Sequence, residues 1–219
     1  MSILFVLLMF LLIMTATYLR THGQVQPKPE VWVGPPAPHM EREYGFAIPQ
    51  GYSFHPGHTW VMSEGGENTR VGIDSFAANL VGKIDHIDAM SPNRWVRQGQ
   101  RLVTVKSGEQ SIDLMSPVEG VVTAINQDLA NDPSMASRSP YKDGWIAVIK
   151  SPDFAINQKN LIQGQMVAPW MQNNVTRLNA LVTQMNPALA QDGGQPISGI
   201  LERIAPEVRQ KIVAEFFLN

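Results

Sequence analysis

Few side chains in this sequence are spaced to do chemistry. His55 and His58 flank Pro56-Gly57, and His86 or Asp88 can be nominated as the third ligand that a metal set would want. A zinc site wants three or four such ligands around one point. The proline and glycine disturb any regular spacing between the two histidines, so no metal site is expected. Glu109 and Asp113 form a second candidate, a carboxylate pair of the kind that does acid–base work. The turn between them leaves their separation unreadable, and two solvated acids is the simpler reading. No serine has a nucleophile-elbow context, and no glycine-rich loop suits a phosphate. The chain has no cysteine, which excludes disulfides, thiolate metal sites, thiol catalysis and an acylated cysteine. An enzyme acting alone is not expected.

The elements that must position these residues are mostly short strands. Thr59-Trp60-Val61-Met62, the turn Ser63–Asn68 and Thr69–Ile73 read as a hairpin. Asp74-Ser75 suits the cap of a short helix from Phe76 to Leu80, ending near Gly82. Further strands are expected at Lys83–Asp88, Arg101–Lys106, Ser111–Met115, Gly120–Ile125 and Trp145–Ile149, with turns at Ser91-Pro92-Asn93, Gln98-Gly99-Gln100 and Asn131-Asp132-Pro133. Strands at this spacing make a small β barrel or sandwich. With 44% hydrophobic residues in 219, the chain can fill a core, and its net charge of -2 leaves no basic excess for nucleic acid.

The two ends differ from the middle. Met1 to Leu19 carry no charged side chain, and the run spans about 28 Å at 1.5 Å per residue. It reads as a retained single-pass membrane anchor over residues 1–20, with Leu4, Phe5, Leu8, Phe10 and Leu12 facing lipid and Tyr18 and Arg20 at the interface. A cleaved signal peptide and a buried core helix are the competing readings. Arg20 and Lys28 follow the run, which favours a cytoplasmic globular part. Residues 21–50 hold Pro27, Pro29, Pro35, Pro36, Pro38 and Pro49, the composition of an extended tether. The β domain occupies 51–153, and 154–219 form a helical extension. There, Leu161 to Met185 carry apolar residues three and four apart, with a break expected at Pro169, and Ile200 to Phe216 repeat the pattern after a loop, with Pro206 in a first turn. Trp32, Trp170, Val208, Ile212, Phe216 and Phe217 are candidate partner contacts, while packing on the chain's own core is the competing reading.

Five blocks in order, from Tyr52 to Asp153, resemble the glycine cleavage system H protein, a lipoyl carrier. They are Tyr52 with His58-Thr59-Trp60-Val61; Val71-Gly72-Ile73-Asp74-Ser75-Phe76-Ala77 with Leu80, Gly82 and Ile84; Asp113-Leu114-Met115-Ser116-Pro117-Val118; Asn126 with Leu129 and Pro133; and Pro140-Tyr141 with Gly144-Trp145-Ile146. The resemblance implies the barrel-sandwich fold of lipoyl domains, two sheets with a modified lysine at a hairpin tip. At that tip the family reads Glu-Ser, any residue, Lys-Ala, whereas this chain reads Lys106-Ser107-Gly108-Glu109-Gln110. Glu109 stands in the lysine position, and a carboxylate cannot form the amide that tethers lipoate. Lys106, three residues earlier at a strand end, is the alternative amine. The reading is therefore a mainly β, lipoyl-type domain with a transmembrane helix and a helical extension. It serves as a non-lipoylated docking subunit, with the membrane and other protein subunits as partners and no cofactor or small-molecule substrate. The first alternative is a genuine carrier, loaded with lipoate and shuttling an aminomethyl group in glycine cleavage. The second is a small-molecule or metal-binding module.

Overall fold

Strand pairing follows the turns marked in the sequence. The structure is a computed structural model that describes residues 2–22, 40–43, 45–185 and 199–217. It divides into two units, Met1–Pro35 and Pro36–Asn219.

The first unit holds one helix, Ser2–His22 (α1). Here the membrane reading is corrected: among the described residues, no helix is long and apolar enough to cross a membrane. The single-pass topology, the cytoplasmic placement and the anchor role given to Phe5, Leu8, Phe10, Leu12 and Tyr18 fall with it. The side chains of Leu4 and Arg20 lie outside the described residues, as do most of the proline-rich tether and Trp32.

In the second unit, Met40–Glu43 (β1) and Phe46–Pro49 (β2) pair as a small ribbon. Ser53–Phe54 (β3), Thr59–Gly65 (β4) and Asn68–Ile73 (β5) follow, then the helix Ser75–Val81 (α2). Next come His86–Ala89 (β6), Trp95–Val96 (β7), Arg101–Ser107 (β8), Gln110–Met115 (β9) and Gly120–Ile125 (β10). Asp128–Asn131 (α3) and Met135–Arg138 (α4) lead to Ala147–Lys150 (β11), Phe154–Asn157 (α5) and Ile162–Gln163 (β12). The chain closes with Val167–Met185 (α6), Ile200–Arg203 (α7) and Pro206–Phe217 (α8).

One sheet has the order β12-β3-β4-β5-β11-β10-β7, and a second has β6-β8-β9. Val71, Ile73, Val122 and Ile149 from the first meet Val103, Val105, Ile112 and Leu114 from the second in one core. This is the two-sheet, mainly β arrangement expected of a lipoyl-type domain. Gly72 is held to glycine by contact, because a Cβ there would lie 2.6 Å from the Trp60 ring. Asp74 caps α2 by accepting from the Ala77 N–H at 2.8 Å. Pro169 does not break the helical stripe that ends at Met185, since α6 begins at Val167 and the proline falls in its first turn, where its missing N–H costs no hydrogen bond.

Candidate functional site

The turn joining β8 to β9 is two residues long, Gly108-Glu109, closed by the pair Ser107 and Gln110. Gly108 has φ +56°, which suits the first central position of a tight hairpin turn and strains any other residue. Two contacts fix this tip. The Gly108 N–H donates to Asp85 Oδ2 at 2.9 Å, and the Ser107 hydroxyl donates to Glu202 Oε1 at 3.1 Å. Asp85 also holds Lys83 at 2.8 Å; that ammonium, with the Gly108 N–H, keeps the Asp85 carboxyl below the usual carboxylate range.

Glu109 is exposed and has no hydrogen-bond or ion-pair partner among the described residues. Lys106 is exposed too, but it lies within β8, opposite His86 of β6 and Ser111 of β9. So the turn carries a carboxylate, and the nearest amine sits in a paired strand. Asp113 does not form an acid pair with Glu109. It faces Thr104, whose hydroxyl donates to its Oδ1 at 2.5 Å, and it lies 3.6 Å from Arg101.

The proposed metal donors are scattered. His86 and Asp88 are exposed on β6, whereas His55 and His58 are buried. Among the described residues no three histidine, aspartate or glutamate side chains gather as a metal set. His58 instead donates from Nδ1 to Asp74 Oδ2 at 2.7 Å. Its ring stacks between Phe76 at 4.4 Å and Trp170 at 5.0 Å. Burial holds the His55 imidazole down at a pKa of about 4, with a smaller contribution from His58. His55 Nδ1 accepts the Gly57 N–H at 3.1 Å, so a neutral ring suits the site.

The residues proposed as partner contacts in the tail pack on the chain's own β domain. Ile212, Phe216 and Phe217 are fully buried, Val208 and Trp170 partly so. The Phe216 ring lies 5.2 Å from Phe76, and Arg177 of α6 caps it at 5.5 Å while pairing with Glu215. Sequence reasoning missed Asp85 and Glu202 as the residues that fix the tip. Neither lies near it in the chain, so no local pattern could have marked them.

A cleft of about 840 Å³ adjoins the tip, with Glu202 on the boundary between the two. Its walls are α2, the segment 134–142 and α7.

The family model for the glycine cleavage H-protein matches residues 52–174. Among curated proteins, the glycine cleavage system H protein of Aliivibrio salmonicida is 33% identical over 111 residues, covering 51% of this chain and 87% of that relative. A mitochondrial protein of Schizosaccharomyces pombe named for the same system is 41% identical over 98 residues, covering 44% of this chain and 57% of that relative. A crystal structure of a glycine cleavage system H protein from Mycobacterium marinum overlaps 58% of this chain and 98% of its own, at 21% identity and a TM-score of 0.48.

Proposed function

Because the chain belongs to the glycine cleavage H-protein family, whose members are not themselves enzymes, we propose that it works by docking with other protein subunits of that system and bears no lipoyl arm at its hairpin tip. The observation that carries this reading is Glu109 in the exposed turn, at the position where the resemblance expects the lipoyl lysine. Attachment needs an exposed amine borne on a turn, and an acid offers none. The rest of the tip is kept in order, with Gly108 and Ser107 each held by a carboxylate. A tip held in shape but lacking the reactive amine retains value as a surface.

The names of the relatives favour a second reading, in which the chain is a loaded carrier that shuttles an aminomethyl group. Lys106 is then the amine to consider, because it is exposed and three residues from the turn. Against it stands its place in a paired strand, between His86 and Ser111.

Binding measured between the full chain and the other purified glycine cleavage proteins tests the docking role. The expected result is a complex that forms without lipoate and survives Lys106→Ala. No complex in any combination would remove the reading, and a complex that required lipoylation of Lys106 would replace it with the carrier reading.

A further inference from the structure

We propose that the cleft between α2, the segment 134–142 and α7 binds a small anionic amphiphile, an apolar body bearing a carboxylate or phosphate head. Its volume, about 840 Å³, falls within the roughly 300–1,000 Å³ of small-molecule sites. The floor is apolar: Phe46 and Ala78 are buried there beside Ala47, Pro140 and Tyr141. The tyrosine and serine hydroxyls named next are already used, whereas Asn79 Oδ1 on the α2 wall has no hydrogen-bond partner among the described residues. The Tyr141 hydroxyl donates to the Ala47 carbonyl at 3.0 Å and accepts the Ser75 N–H at 2.9 Å. Ser134 donates to the Ile84 carbonyl at 2.7 Å, and Ser137 donates to the Ser134 carbonyl at 3.0 Å.

The rim is cationic. Lys83, Arg138, Lys142 and Arg203 line it against one acid, Glu202. Lys83 and Arg138 are paired with Asp85 and Asp132. Lys142 and Arg203 have no ion-pair partner among the described residues, so two positive charges are left to meet a ligand. Glu202, at the tip end, repels an anionic head, and Arg203 beside it and Lys142 on the 134–142 wall offset that repulsion. An apolar floor with a cationic rim selects a ligand with both characters. A neutral apolar molecule leaves the rim unmatched, and a small anion leaves the floor wet. This proposal stands apart from the docking reading, since it requires neither the presence nor the absence of a lipoyl group.

The test uses the full chain, a diazirine-bearing decanoate as photoprobe, and peptide mapping by mass spectrometry. Adducts are expected in residues 75–83 and 134–142, suppressed by excess decanoate or decyl phosphate and not by decanol. Lys142→Glu combined with Arg203→Glu should cut cleft labelling about tenfold, the factor set by about 1.4 kcal/mol of lost attraction, with unchanged thermal unfolding. Adducts confined to residues 2–22, competition by decanol equal to that by decanoate, or undiminished labelling in the folded variant would each overturn the proposal. The competition arm needs only the unaltered protein, so the test holds even if the variant does not fold. An advantage of decanoate over decyl phosphate, or the reverse, would identify the preferred head.

Discussion

Ser107 donates its hydroxyl to a carboxylate oxygen of Glu202 at 3.1 Å, tying the turn between β8 and β9 to a helix 95 residues further along the chain. The bond joins the β domain to its C-terminal helices two residues before Glu109, where the resemblance expects the lipoyl lysine. The tip is thus held in one place from two sides, by Glu202 and by Asp85. A hairpin held this way presents a fixed surface.

Removing the hydroxyl should loosen that surface without unfolding the domain. Ser107→Ala is expected to cost about 1 kcal/mol, the net worth of one such bond. Amide exchange at Gly108, Glu109 and Gln110 should accelerate, while the β5 and β11 amides keep their protection. Unchanged exchange at the tip would mean that the bond does not restrain it.

The tail is part of the core, which sets the scale of a second outcome. Phe216 is buried against Phe76 and His58. Phe216→Ala should therefore destabilise the domain by about 3–5 kcal/mol, as large-to-small changes in packed cores do. Urea unfolding measures it. A loss under about 0.5 kcal/mol, the range of surface substitutions, would show that α8 is not packed on the β domain in solution.

Stability should fall on mild acidification because of His55. Its folded pKa is about 4, below the ordinary 6.5 of the unfolded chain. Between those values the unfolded chain takes up a proton that the folded one refuses, so stability drops as pH falls from about 6.5 towards 4. Integrated from pH 7 to pH 5, the loss is about 2 kcal/mol. His55→Gln should remove that part of the decline. An identical pH 7 to pH 5 difference in the variant would place the proton uptake elsewhere.

The sheet was legible because its signals are local. Alternating apolar residues and turn-forming Ser63–Asn68 mark the β4–β5 hairpin, and Asp74 sits where a cap is needed for α2. The four-residue spacing of Ile204, Val208, Ile212 and Phe216 announces a buried helix face but does not say what buries it. That answer depends on Phe76 and His58, more than a hundred residues earlier. Uncharged length at the amino terminus suggests a membrane anchor, whereas among the described residues no helix is long and apolar enough to cross a membrane. At the site, Glu109 was readable from its position between Ser107 and Asp113. Asp85, Glu202 and the cationic cleft were not, because their partners meet only in the folded chain.

Glu109 is proposed to leave this H-protein family member without a lipoyl arm. Incubating the full chain with lipoate, ATP and a lipoate–protein ligase, beside a lysine-bearing H protein as positive control, and then weighing it intact tests this directly. The mass should stay that of the unmodified chain while the control gains one lipoyl group. A lipoyl adduct on this chain, mapped to Lys106 or any other lysine, would contradict the claim and make the protein a carrier.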